Sequence, residues 1–151
     1  KIQETVRQFK PVEHRIEFVR ERTGVRYYND SKGTNPDAAI QALRAMPGPV
    51  LLIAGGYDKN SNYDEWVKEF AGRVKYLVLI GKTRDKIAEC AKAHGFYDIM
   101  YAEDMSEAVR VCASYANMGD NVLLSPACAS WGMFKNYEER GRIFKECVRS
   151  L

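Results

Sequence analysis

The sequence predicts an α/β domain: a mainly parallel sheet covered by helices on both faces, with an antiparallel hairpin at one edge. Three observations predict it. Short apolar runs recur at 50–54, 76–80, 97–101 and 121–124, as expected of strands buried on both faces. Stretches with apolar residues at helical spacing lie between them. The joining loops are short, and such strand–helix alternation implies parallel crossovers.

The elements follow in chain order. Ile2, Val6 and Phe9 recur at helical spacing and Lys10-Pro11 breaks the pattern, so residues 1–11 read as a short helix leading into the domain. Residues 15–28 read as a hairpin turning at Thr23-Gly24,. A polar loop at 29–36 precedes a helix over 37–46. Pro36 suits its first turn, where a missing N–H costs nothing, and Asn35 or Thr34 can cap it. The remaining helices are expected near 62–72, 83–95, 104–118 and 138–150, with Thr83 capping the second of these four.

Composition bounds the function. With 151 residues, 46% of them apolar and 28% charged, the chain reads as one soluble globular domain with a substantial core. A formal net charge of +3 is too small to argue for nucleic acid and fits a mixed, solvated surface. The cysteines at 90, 112, 128 and 147 form no CxxC pair and fit no zinc spacing,. Cys90, Cys112 and Cys147 fall on apolar helix faces and are expected as buried thiols in a reducing compartment. The sequence shows no signal peptide and no apolar run long enough to cross a membrane. The first residue is Lys, which suggests a trimmed chain or an excised domain.

Three polar loops follow predicted strands: Asn29-Asp30-Ser31-Lys32-Gly33-Thr34-Asn35-Pro36, Gly55-Gly56-Tyr57-Asp58-Lys59-Asn60, and Ser125-Pro126-Ala127-Cys128-Ala129-Ser130. In a parallel sheet such loops share the carboxyl rim, where open α/β sheets bind ligands. Lys32 and Lys59 bring ammonium groups; Thr34, Ser125 and Ser130 bring hydroxyls; Tyr137 and Arg140 follow. Cations, hydroxyls and a helix start suit an anionic ligand. Each part also has a bland interpretation. Gly55-Gly56 fits a tight turn, Lys59 a solvated loop lysine, Ser125 and Ser130 turn or cap residues, and His14-Arg15 a surface pair. Gly81-Lys82-Thr83 mimics a phosphate loop but lacks the G-x-x-x-x-G-K-[ST] spacing, because an apolar strand precedes it. With two histidines, no Ser–His–Asp or Cys–His arrangement is readable.

Taken together, His14-Arg15, Asn29 to Asn35, Gly55-Gly56-x-Asp58-Lys59, and the run Leu124-Ser125-Pro126-Ala127-Cys128-Ala129-Ser130 continued by Phe134-Lys135-Asn136-Tyr137-Glu138-x-Arg140-Gly141 resemble the C-terminal domain of the Mur ligases. The likeness is to the branch of the family that adds D-glutamate, and it covers 12–151, leaving 1–11 as linker or the tail of a preceding domain. It implies a Rossmann-like three-layer sandwich within a cytoplasmic bacterial enzyme that is a monomer, has no nucleic-acid partner and does not enter the membrane. The implied reaction is ATP-dependent amide formation. ATP phosphorylates the carboxylate of UDP-N-acetylmuramoyl-L-alanine, and the amine of D-glutamate attacks the acyl phosphate.

The resemblance also implies roles. Thr34, Lys59, Ser130 and the backbone near Tyr137 would hold D-glutamate, with Ser130 near a helix start. Lys32 would be catalytic, offsetting charge at the transferred phosphoryl group. His14, Arg15, Asp30 and Lys32 would wall the ATP. Magnesium and most of the ATP contacts belong to a central domain in this family, so no metal ligand is assigned here and these 151 residues alone are expected to be inactive. Two departures stand out: Tyr137 where Phe is expected, and Gly132 where an acidic residue is common. Two other readings are a related ligase such as a folylpolyglutamate synthase, against which the Ser-Pro-Ala-Cys-Ala-Ser loop argues, and a stand-alone Rossmann-like module binding a small anion.

Overall fold

A computed structural model describes residues 12–151, so the helix expected over 1–11 lies outside the described residues. Six strands form one sheet: β1 (Glu17–Arg22), β2 (Val25–Asn29), β3 (Val50–Ala54), β4 (Val74–Leu79), β5 (Ile99–Tyr101) and β6 (Asn121–Leu124). Their spatial order is β1-β2-β6-β3-β4-β5. The β1–β2 pair is antiparallel, and every other neighbouring pair is parallel. Among the described residues, four helices connect strands, α1 (Pro36–Arg44), α2 (Asp64–Lys68), α3 (Arg84–Ala93) and α4 (Met105–Tyr115), and α5 (Tyr137–Arg149) follows β6.

Alternation along the strands builds two cores. Leu52, Ala54, Leu77, Leu79 and Leu123 pack against α1, α2 and α3. Their neighbours Leu51, Ile53, Val78, Val122 and Leu124 point the other way, against α4 and α5. The result is the expected three-layer sandwich, with β3 buried at all five positions. Each Leu or Ile so enclosed contributes about 1.5–3 kcal/mol.

Several local readings need correction. The helix expected over 62–72 is a single α-helical stretch, Asp64–Lys68. Beyond it, Phe70 N–H bonds Val67 O and Arg73 N–H bonds Phe70 O at 3.0 Å, tightening the chain into turns. Gly72, at φ +76, then ends the run, which glycine tolerates without a steric cost. The strand expected at 76–80 starts two residues earlier, and the one expected at 97–101 is a three-residue edge strand. Asn35, rather than Thr34, caps α1: its side chain accepts the Ala38 N–H at 2.9 Å. Thr83 precedes α3 but makes no side-chain cap bond; its hydroxyl instead accepts the Gly56 N–H at 2.9 Å. Cys112 is fully buried as expected, whereas Cys90 and Cys147 are half-buried.

Candidate functional site

β6 sits between β2 and β3. The loops that follow these three strands are therefore neighbours at the carboxyl rim, where the chain's progress across the sheet reverses. Backbone bonds stitch them together. Asp30 N–H reaches Leu124 O at 2.7 Å, Ala127 N–H reaches Gly33 O at 2.9 Å, Gly55 N–H reaches Pro126 O at 3.0 Å, and Tyr57 N–H reaches Ala129 O at 2.9 Å. Lys32 N–H bonds His14 O at 2.9 Å, which fixes the start of the hairpin on the same rim. Close packing restricts the side chains allowed here. A Cβ at Gly33 would stand 2.5 Å from Asp30 Oδ2, and one at Gly55, where φ is +108, would collide with Ile80 O.

Beneath the rim lies a buried polar network. The Arg140 guanidinium, 1% exposed, donates from Nε to Ser31 Oγ at 2.9 Å, from one terminal nitrogen to Ser31 O at 2.7 Å, and from the other to Cys128 O at 2.9 Å. Ser31 Oγ donates onward to Tyr137 O at 2.7 Å. One arginine on α5 thus clamps the loops after β2 and β6. Burial lowers its pKa to about 10. Asp30, also 1% exposed, accepts the Ile16 N–H at 3.1 Å and the Ser125 hydroxyl at 2.8 Å. Burial raises its pKa to about 6, against the pull of those two bonds and of Arg15 and Arg140.

A second cluster anchors the segment before β1. Asn29 Nδ2 lies 2.8 Å from His14 Nδ1 and donates to Glu17 at 3.0 Å. Lys145 Nζ donates to Glu13 at 2.9 Å and to Glu17 at 3.2 Å. Burial disfavours the Lys145 ammonium, and these two carboxylates outweigh it, raising its pKa. Left-handed backbone also gathers at the rim: His14 at φ 68, Ile16 at φ 45, Ala127 at φ 59 and Asn60 at φ 63. For β-branched Ile16 that conformation is costly and persists where surrounding bonds over-determine it.

The residues singled out from the sequence divide by burial. Lys32, Lys59 and Arg15 are exposed, Thr34 and Tyr137 are half-buried, and His14, Asp30 and Ser130 are buried. Lys32 and Thr34 flank Gly33, which bonds the 125–130 loop. Lys59 and Ser130 extend from the Tyr57–Ala129 bridge. All eight therefore lie in rim segments, although His14 and Asp30 spend their polar atoms on internal bonds. Ser130 is not at an α-helix start, because α5 begins at Tyr137. Its carbonyl instead accepts the Phe134 N–H at 3.0 Å in a separate turn. Sequence reasoning gives Arg140 no defined role. Its available signal is a lone cation beside Gly141 on the helix face that carries Phe144 and Val148. Sequence reasoning also misses Lys145, whose ammonium is buried against two glutamates.

An α/β domain with exposed cations on the carboxyl rim of a mainly parallel sheet, above a clamped polar network, is the class of protein that fold and rim define. Residues 14–128 match the family model described as Mur ligase, glutamate ligase domain, and the chain belongs to that family. It is 60% identical over 150 residues to UDP-N-acetylmuramoylalanine--D-glutamate ligase of Lachnoclostridium phytofermentans, covering 99% of this chain and 33% of that protein. It is 57% identical over 152 residues to the protein of the same name from Thermoanaerobacter sp., covering 99% of this chain and 34% of that one. The chain thus spans about a third of the length of these relatives. Among solved structures, UDP-N-acetylmuramate-alanine ligase MurC of Thermotoga maritima superposes with a TM-score of 0.66 at 16% identity, over 97% of this chain and 32% of that one. Folylpolyglutamate synthase of Thermotoga maritima superposes at 0.58 with 19% identity, over 80% of this chain and 29% of that one. Both show the shared fold.

Proposed function

We propose that this chain is the C-terminal, amino-acid-binding domain of an ATP-dependent ligase that joins D-glutamate to UDP-N-acetylmuramoyl-L-alanine in peptidoglycan synthesis. The observation that carries this reading is the clamped rim bearing Lys32, Thr34, Lys59 and Ser130, in a chain 60% identical to a relative named for that reaction.

D-Glutamate offers two carboxylates that must be fixed while its amine stays free and neutral to attack. In the proposed arrangement Lys59 and Thr34 hold one end, while Ser130 and the backbone at Tyr137 hold the side-chain carboxylate. The Lys32 ammonium meets negative charge that grows on the phosphoryl and acyl-phosphate oxygens, which stabilises the transition state more than the ground state. Arg15 and Lys32 present exposed cations to the nucleotide. Asp30 and His14, bonded internally, shape that wall from below. When bound, ATP would bring the phosphoryl group and magnesium would screen its charge; Arg15 and Lys32 would form one wall of such a site, and a preceding central domain would supply the rest. Closure of the two domains would complete the site. Residues 1–11 would belong to the connection between them. The enzyme would act as a cytoplasmic monomer, a setting that suits four free thiols,.

The test uses the full-length protein. Ligation of D-glutamate, with L-glutamate a poor substrate, is the expected result; equal use of both would overturn the substrate assignment. Lys59→Ala should raise the KM for D-glutamate roughly tenfold to a hundredfold, as for a lost charge-assisted contact of about 1.5–3 kcal/mol. Lys32→Ala should depress kcat instead, and a normal kcat with only a raised KM would reassign Lys32 to ground-state binding. The 151-residue chain alone should release no phosphate from ATP under the same conditions.

A further inference from the structure

Asp64, Cys90 and His94 form a cluster on the α2–α3 face that the rim does not use. Cys90 and His94 stand four residues apart, on α3 and at its C-terminal cap, so they share a helix face. Asp64 is the first residue of α2 and meets them from the neighbouring helix. His94 Nε2 lies 3.0 Å from Asp64 Oδ1, and Cys90 Sγ lies 3.2 Å from the same oxygen. The three atoms all fall within 4.8 Å of one another.

Those spacings are close to the edges of a metal's coordination tetrahedron. Zinc takes a cysteine sulfur at about 2.3 Å, a histidine nitrogen at about 2.0–2.1 Å and a carboxylate oxygen at about 2.0–2.2 Å, which at tetrahedral angles sets neighbouring donor atoms roughly 3.3–3.6 Å apart. Closing around an ion needs movements of tenths of an ångström for the two pairs that meet at Asp64. The cluster is also accessible. The Asp64 side chain is 52% exposed and that of His94 28%. A hollow lined by Asn60, Asn62, Lys86 and Cys90 opens on one side, leaving room for a water as fourth ligand. The backbone at Asp64 is held by a bond from its N–H to Asn62 Oδ1 at 2.8 Å.

We propose that Asp64, Cys90 and His94 bind a borderline-soft divalent transition metal, with Zn²⁺ the best match, and with water completing the tetrahedron. The donor set of sulfur, imidazole and carboxylate discriminates against magnesium and calcium, which prefer oxygen alone. On binding, the Cys90 S–H proton leaves to solvent and the thiolate bonds the metal. His94 gives up the Nε2 proton it shares with Asp64, the neutral ring carrying its hydrogen on Nδ1 so that the Nε2 lone pair faces the ion. Asp64 exchanges its two hydrogen bonds for a metal bond. Carboxylate and thiolate then balance the ion's two positive charges. The metal ties α2 to α3 at the end of the loop that carries Lys59. It is thus placed to stiffen that loop from outside the ligand site, and it differs in location and donors from any magnesium that accompanies ATP.

The experiment titrates the 151-residue chain with Co²⁺ as a spectroscopic probe, then displaces it with Zn²⁺. One equivalent should bind, with a sulfur-to-cobalt charge-transfer band that Zn²⁺ removes. Cys90→Ser should abolish the band, His94→Gln should weaken Zn²⁺ roughly tenfold or more, and Cys147→Ser should change neither. Stoichiometric Zn²⁺ should also protect Cys90, but not Cys147, from alkylation in the unsubstituted chain. A missing band, a band that survives Cys90→Ser, or unprotected Cys90 would overturn the site. The alkylation readout needs no variant, so it decides the matter even where a substituted chain misfolds.

Discussion

The two halves of the sheet are fastened by different physics. On the β3–β4–β5 side the helical layer is apolar and aromatic: Trp66 contacts Phe70 edge-on at 5.0 Å between ring centroids, and Phe70 contacts Phe96 at 5.4 Å. On the β1–β2–β6 side the decisive contacts are directional: Arg140 to Ser31 and Cys128, Asp30 to Ile16 and Ser125, and Lys145 to Glu13 and Glu17. The hydrophobic driving force of apolar packing is non-directional and scales with area. Buried hydrogen bonds to charged groups depend on direction as well as distance, and weaken steeply as the donor angle closes below about 120°. The loops after β2 and β6, which carry Lys32, Thr34 and Ser130, are held by the second kind. Apolar burial supplies bulk stability on both sides, Val25, Tyr27, Val122 and Phe144 included; the contrast teaches that loop position is set on the β1–β2–β6 side by an added layer of directional bonds.

The largest effect tests the apolar half. Trp66 is fully buried, and Trp66→Ala should cost about 3–5 kcal/mol. Urea unfolding should show a lower midpoint with an unchanged slope. Trp66→Phe keeps one aromatic ring and leaves a smaller cavity, so it should cost less than Trp66→Ala. Trp66 Nε1 is the one buried side-chain nitrogen or oxygen without a hydrogen-bond partner among the described residues, and phenylalanine removes it. If Phe is as harmful as Ala, that N–H has an important partner and the apolar account is wrong.

Arg140→Met probes the polar half. It leaves Ser31 O and Cys128 O buried without their donor, at about 1–3 kcal/mol for each group. The sharper readout is local. Amide hydrogen exchange should accelerate at Ser31 and Ala127 more than on β3, because the clamp between two loops is what has gone. Uniform acceleration across the sheet would erase the distinction between the halves.

Asp30 supplies a pH dependence. Its folded pKa is raised to about 6, from an ordinary 3.8, chiefly by burial. The folded state therefore holds this proton more tightly than the unfolded chain does. Stability from this group is fully present below pH ~4 and falls as pH rises through ~6, by roughly 2–3 kcal/mol. Asp30→Asn is uncharged at every pH. Its amide can donate to Ser125 once that hydroxyl turns to accept, while its carbonyl keeps the Ile16 N–H. Relative to the parent, the variant should gain stability between pH ~4 and ~7 in urea unfolding. A difference that stays flat with pH would show that Asp30 ionises in the fold as it does in the unfolded chain.

The same contrast explains what was legible in the sequence. The β3 and β6 runs, the Asn35-Pro36 start of α1 and the Thr23-Gly24 hairpin turn are local signals, and they locate the sheet and its helices with errors of a few residues. The rim was legible because strand ends in a parallel sheet share one edge. What stayed hidden was long-range. Thr83 looked like a cap, but Gly56, 27 positions away, takes its hydroxyl. Arg140 read as one more cation of the rim and Lys145 drew no notice; their partners Ser31, 109 positions distant, and Glu17, 128 distant, meet them only in the fold. Cys90 and His94 share a visible i, i+4 spacing, but Asp64 completes the cluster from another helix.

The smallest expected effect concerns Tyr137, which departs from the Phe anticipated at this position. Its place in the polar half comes through the backbone: the Tyr137 carbonyl accepts from Ser31 Oγ at 2.7 Å, and its ring meets His14 edge-on at 6.0 Å. Tyr137→Phe preserves both contacts. Stability should therefore stay within about 0.5 kcal/mol of the parent, and the KM of the full-length enzyme for D-glutamate should not move. Ser31→Ala removes the hydroxyl that links Arg140 to that carbonyl, and should cost about 1–3 kcal/mol. The pair separates side chain from backbone at one residue. A raised KM in Tyr137→Phe, with stability intact, would assign the phenol hydroxyl itself to the ligand and move Tyr137 from the scaffold into the binding surface.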